Sequence, residues 1–208
     1  MKIISGEKKN RNFYMPFGIR PTQNLTRKAI FDLIGHDLSG WKVLDLFAGS
    51  GAVGLEALSQ GASRVAFVEF NAKCFAVIEE NVELLGFKEQ GMPSPRIELI
   101  NADAFMAVKQ LARSGQKFDL VFLDPPYGLG LIKKMLKTLS SYDIFNPNSF
   151  LIIEHGKHEN LPESEGRFSL ITHRKYGTSF VAVYQPVREF TEKDTPAESD
   201  KDNPVCEE

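Results

Sequence analysis

Residues 42–54 read KVLDLFAGSGAVG, an apolar strand-forming run that turns through two glycines straight into a helix-forming one. A strand apolar on both faces is stable only inside a sheet that is covered on both sides. The alternation then continues. Further strands are expected at 64–69 (RVAFVE), 96–101 (RIELIN), 118–123 (FDLVFL) and 149–154 (SFLIIE). Between them lie helical patterns at 52–60, from the N-cap Asn71 to Gly86, near 103–114 and at about 130–140, and one more precedes the first strand at 24–34. Strands alternating with helices predict a parallel, doubly wound sheet. The end changes style, because FSLITHRKY and SFVAVYQP flank a Gly177-Thr178 turn, which is a hairpin signal. The expected fold is α/β, a mostly parallel seven-stranded sheet with a carboxy-terminal antiparallel hairpin and helices on both faces. Residues 3–20 form a small amino-terminal extension that is expected to make a hairpin of its own.

The 208 residues suffice for one such domain with short extensions. No apolar run nears the roughly 20 residues that span a bilayer, and MKIISGEKKNR lacks the apolar core of a secretory signal. A cytoplasmic protein with no membrane contact is expected. Cys74 and Cys206 make neither a disulfide framework nor a zinc spacing. His155 and His158 have no supporting ligand pattern, so they are read as solvated loop histidines and no metal is expected.

The net charge of −2 hides an asymmetry. Residues 1–28 carry seven bases against Glu7 alone, whereas residues 189–208 carry eight acids against Lys193 and Lys201. The organisation expected is a basic extension at 1–22, one domain at 23–188 and an acidic, disordered tail at 189–208. Lys8, Lys9 and Arg11 suit a phosphate backbone, and they equally suit a solvated surface. Lys133, Lys134 and Lys137, on the helix near 130–140, carry the same two readings.

Gly49-Ser-Gly51-Ala-Val-Gly54 is a GxGxxG placed between strand and helix. Taken alone it fits a dinucleotide-binding oxidoreductase or a methyltransferase that uses S-adenosylmethionine, and Glu69 ends the next strand where a ribose-binding acid belongs in either. Asp45 separates the two. A carboxylate there repels a pyrophosphate seated on the helix amino terminus, yet suits the ammonium and sulfonium of a methionine moiety. Asp103, after the third strand, is placed to accept a hydrogen bond from an adenine amino group.

FDLVFL then stops at Asp124-Pro-Pro-Tyr127. Two prolines cannot continue a central strand, and ligand sites in open parallel sheets lie just past the carboxyl ends of strands. An exocyclic amine is a poor nucleophile because its lone pair is delocalised. Acceptors at Asp124 and the Pro125 carbonyl, held rigid by Pro126, can align that amine, and Tyr127 offers a face for a flipped base. Guanine N2, adenine N6 and a protein glutamine amide all remain possible targets of such a loop, and a module that binds the cofactor without turnover is the non-enzymatic alternative.

DLFAGSG with DPPY resembles the class I S-adenosylmethionine-dependent methyltransferases that act on planar nitrogens. Over residues 1–186 the stretches MKIISGEKKNR, IRPTQNLTRKAIFDLI, LDLFAGSGAVGLEALSQGA, FLDPPY and RKYGTSFVAVYQ resemble the bacterial 16S rRNA (guanine(966)-N(2))-methyltransferase family. That resemblance implies a monomer with a Rossmann-like fold. It would methylate one guanine 2-amino group of 16S rRNA within an assembled or partly assembled small subunit. By motif, it assigns Asp45, Phe47, Gly49, Gly51, Glu69, Asp103 and Ala104 to S-adenosyl-L-methionine, and Asp124, Pro125, Pro126 and Tyr127 to the guanine. It places Arg20, Thr22 and Arg27 on the RNA side. The helix entry NLTRKAIF is less arginine-rich than the family pattern, and the acidic tail has no counterpart in it.

Overall fold

A computed structural model describes residues 1–16, 24–88 and 94–187. Arg20, Thr22, Cys206 and the tail lie outside the described residues. The elements run α1 (Asn24–Ile34), β1 (Lys42–Leu46), α2 (Ala52–Ser59), β2 (Arg64–Val68), α3 (Ala72–Leu84), β3 (Ile97–Ile100), α4 (Ala104–Arg113), β4 (Phe118–Leu123), α5 (Leu131–Ser141), β5 (Phe145–His155), β6 (Ser164–Glu165), β7 (Phe168–Tyr176) and β8 (Ser179–Pro186). They form one sheet in the order β3-β2-β1-β4-β5-β8-β7-β6. The first five strands pair in parallel and the last three antiparallel.

Successive residues of each central strand feed opposite faces, which is why these strands read as continuous apolar runs. Val43, Phe67, Leu120, Phe122 and Ile152 pack on one face with residues of α1, α2 and α3. Leu44, Leu46, Val68, Val121, Leu123 and Ile153 pack on the other with α4 and α5. The third glycine of the loop serves this packing. A Cβ on Gly54 would stand 2.2 Å from the Phe67 ring, so α2 lies on β2 only because the side chain is absent.

Beyond one-residue differences at the ends of β2 and β3, two strands differ from expectation. β5 begins at Phe145 rather than Ser149, because the chain passes a register irregularity with Asn148 at φ 62° and still pairs Phe145 with Phe118. The turn-rich Asn-Pro-Asn masks this in the sequence. The two-residue β6 adds an eighth strand at the edge.

The extension folds back on itself through an isolated antiparallel bridge, Lys2 to Asn12, with Ile3 N–H donating to Arg11 O and Asn10 N–H to Ile3 O. It is a docked arm more than a free hairpin. Gly6 sits so close to the end of α2 that a Cβ would fall 1.8 Å from Ser59 O. Ser59 Oγ accepts from Lys8 N–H and donates to Ser5 O. Glu56 Oε1 and Oε2 accept from the amides of Ile4 and Ser5.

Candidate active site

Four acids close four neighbouring strands. Glu69 follows β2, Asp45 is the penultimate residue of β1, Asp124 follows β4 and Glu154 is the penultimate residue of β5. These strands are adjacent and parallel, in the order β2-β1-β4-β5. All four acids therefore fall at the carboxyl edge, where the winding reverses between β1 and β4 and an α/β sheet leaves a crevice. They line one cavity of about 400 Å³, within the range of small-molecule sites.

The glycine loop forms one wall. Phe47 is held left-handed at φ 60°, a conformation that non-glycine residues adopt at some cost and that clusters at functional sites. A Cβ on Gly49 would meet nothing within 4 Å, so the main chain there is open to the cavity. Glu69 ties the loop down. Its Oε2 accepts from Gly49 N–H at 2.8 Å and its Oε1 from Asn71 N–H at 2.7 Å. Asn71 in turn caps α3. Asp45 lies deeper, 2 % exposed. Burial pushes its carboxyl up to about 8, Gly54 N–H donating at 2.9 Å pulls it back, and nearby Glu69 pushes it up again.

The opposite wall is the Asp124–Tyr127 loop. Asp124 is half-buried, Pro125 buried, and Pro126 and Tyr127 exposed. Gly156 holds the Tyr127 ring from behind, since a Cβ there would come within 3.0 Å of it. The Tyr127 hydroxyl lies 3.5 Å from Ser179 Oγ.

The chain resembles known proteins over most of its length. A family model described as Conserved hypothetical protein 95 matches residues 1–185. YlbH of Bacillus subtilis (strain 168) is 33% identical over 187 residues, 89% of this chain and 98% of its own. The ribosomal RNA small subunit methyltransferase D of Buchnera aphidicola (subsp. Acyrthosiphon pisum, strain APS) is 31% identical over 161 residues, 76% of this chain and 80% of its own. The chain belongs to the ribosomal RNA small subunit methyltransferase D family. Among solved structures, the yhhF protein of Escherichia coli superposes with a TM-score of 0.74 at 26% identity, covering 90% of this chain and 98% of that one.

For a chain of the methyltransferase D family, the structure gathers Asp45, Phe47, Gly49, Glu69 and Asp124 to Tyr127 around one cavity. Gly51 faces inward, toward Phe67 and Ile78. Asp103 and Ala104 stand one strand further out, beyond β3 and off the cavity wall, with Asp103 Oδ1 capping α4 through the amides of Phe105 and Met106. Sequence reasoning passed over Met15, Ser50, Asn71, Cys74 and Phe122 as cavity residues. Asn71 carried a signal, its N-cap position, whereas Met15 reaches the cavity only through the docking of the arm.

Arg27 corrects the expected RNA face. It is fully buried, with Nε 3.4 Å from Glu56 Oε2. Its other nitrogens donate to Lys2 O, Asn24 Oδ1 and Met1 Sδ, and its guanidinium lies over the Phe13 ring. Such a residue holds the arm and cannot meet a phosphate in this fold. Lys8 and Arg11 lie against the carboxyl ends of α2 and α3, the edge opposite the cavity, and Lys9, between them in sequence, is exposed. His155 is also corrected, being 1 % exposed rather than solvated. Its Nδ1 lies 2.9 Å from Gly156 O and its Nε2 2.9 Å from His173 Nε2. A carbonyl can only accept, so Nδ1 carries the hydrogen and Nε2 accepts from His173. Burial lowers the His155 pKa, in keeping with that neutral form. Among the described residues no three His, Cys, Asp or Glu gather as metal ligands, and no helix is long and apolar enough to cross a membrane.

Proposed function

We propose that this chain transfers a methyl group from S-adenosylmethionine to the exocyclic N2 amine of one guanine in 16S rRNA. In this reading it acts as a cytoplasmic monomer on an assembled or partly assembled small subunit. One observation carries the reading: Asp45 and Glu69, which suit the cofactor, and the loop that suits a planar amine line the same cavity. Donor and acceptor can therefore meet without either having to cross the protein.

The residues present fit the cofactor. Asp45 supplies a buried carboxyl for a cationic methionine moiety, and open backbone at Gly49 allows close approach. The Glu69 oxygens hold two amides, but each has a second lone pair with which to accept a ribose hydroxyl. Asp103 and the Ala104 amide, beyond β3 and off the cavity wall, are assigned to the adenine edge by motif alone. When bound, S-adenosylmethionine supplies an electrophilic methyl group on positively charged sulfur. Tyr127 stacks the extruded base. Asp124 and the Pro125 carbonyl accept hydrogen bonds from the two amine hydrogens and turn the nitrogen lone pair toward the methyl. As nitrogen bonds the methyl, the methyl–sulfur bond would break with its electron pair left on sulfur, and the extra proton on nitrogen passes to Asp124 or to water.

The test is incubation of labelled S-adenosylmethionine with small subunits from a strain lacking this protein, followed by nucleoside separation. N2-methylguanosine is expected. Label in N6-methyladenosine, label only in protein, or no transfer at all would refute the proposal.

A further inference from the structure

A second concavity, of about 450 Å³, lies beside the first and is lined by Tyr127, Gly128, Gly130, Lys157, His158 and Thr178. Tyr127 lines both. Three separate segments build it: the loop after β4, the loop after β5 and the β7–β8 turn. An added Cβ at Gly128 or Gly130 would meet nothing within 4 Å, so a bulky ligand can reach the main chain there. Lys157 and His158 are exposed and bring an ammonium and an imidazole. The acid in the wall, Glu159, accepts from Gly128 N–H at 3.1 Å, which turns one of its oxygens into the loop.

We propose that this concavity binds the sugar–phosphate of a nucleotide flanking the target guanine. The inference rests on the functional reading above. A base drawn into the first cavity leaves its chain neighbours at the mouth, and the strand must then pass Tyr127. The wall it meets there offers a cation, an imidazole, a hydroxyl and bare glycine backbone, groups that suit phosphodiester oxygens and ribose hydroxyls. Among the described residues, Arg27 and the basic arm do not serve this position. Arg27 is buried, and Lys8 and Arg11 lie against the carboxyl ends of α2 and α3.

The experiment compares wild type, the double variant Lys157→Ala/His158→Ala and Lys42→Ala, a control at the amino end of β1 on the opposite edge. The substrate is small subunits from a strain lacking the protein. For the double variant KM for subunits should rise about five- to tenfold with kcat within about twofold, and the log–log salt dependence of binding should flatten by about one. Binding of S-adenosylmethionine and the behaviour of Lys42→Ala should match wild type. Unchanged KM and salt slope, or an equal effect from Lys42→Ala, overturns the inference while N2-methylguanosine formation leaves the functional reading standing. Absence of any transfer by wild type overturns both.

Discussion

The arm and the cleft use charge in opposite ways. At the arm, Arg27 and Glu56 are both fully buried and face each other, and Glu56 also holds the amides of Ile4 and Ser5. Asn81, equally buried, exchanges hydrogen bonds with Tyr14 through both ends of its amide and also donates to Ser50 O. Protein surrounds these groups, and their work is to hold the arm on α2 and α3. At the cleft, Glu69, Asp45, Asp124 and Glu154 end adjacent strands and line a cavity. A sheet encloses a charge that a neighbouring element can cover. It leaves one at its carboxyl edge facing whatever enters. Position in the fold, not residue type, separates a strut from a reagent.

The largest expected effect tests the cleft side. Asp124→Ala should lower kcat about 10²–10⁴-fold, the usual contribution of a positioned acid–base group, with melting temperature and cofactor affinity near wild type. Asp124→Asn keeps an accepting oxygen without the charge and should retain partial activity. A melting temperature that falls as far as activity would make Asp124 a strut.

The arm should answer in the opposite sense. Arg27→Ala leaves Glu56 buried without its cation and should destabilise the chain by about 3–5 kcal/mol in denaturant unfolding. Where the variant is still folded, methyl transfer and the salt dependence of RNA binding should be those of wild type. Normal stability with a weaker, flatter salt dependence would return Arg27 to the RNA side and break the comparison.

Glu69 sharpens the boundary because it does both kinds of work. Glu69→Ala should weaken S-adenosylmethionine binding by about 1.5–3 kcal/mol per lost charged hydrogen bond, read by calorimetric titration. It also frees the amides of Gly49 and Asn71, so part of that loss belongs to a loosened glycine loop. Glu69→Gln keeps one accepting oxygen and turns an NH2 toward the other amide, so it can hold only one of the two and should recover only a fraction of that part. Wild-type affinity in both variants would remove Glu69 from the site.

The cleft was far more legible in the sequence than the arm. Continuous apolar runs, Gly49 to Gly54 and the prolines after Asp124 are local signals, and each sits where local chemistry requires it. β4 begins and ends at the expected residues. The arm depends on partners distant in sequence. Nothing around Arg27 announces Glu56, and nothing around Gly6 announces Ser59. His155 looked solvated because its cover, His173, comes from β7. The depth of Asp45 was likewise hidden, since it depends on neighbouring strands and on α2.

That depth gives the smallest effect and the finest test. In the free chain, burial holds the Asp45 carboxyl up to about 8, so it is largely protonated at neutral pH. A raised carboxyl means that the folded state holds this proton more tightly than the unfolded one. Its stabilising share is complete below the ordinary carboxylate range and is lost as pH climbs toward 8. A cationic methionine moiety beside it reverses the preference by favouring the carboxylate, so binding expels a proton. Affinity for S-adenosylmethionine should therefore rise with pH, by up to about tenfold per unit below 8, and level off above it. Calorimetry in buffers of different ionisation enthalpy reads the released proton directly. Asp45→Asn should bind more weakly and lose the pH slope, and so separate Asp45 from Glu69 beside it. A flat wild-type profile would mean that the carboxylate is already charged in the free protein, held so by something other than the cofactor.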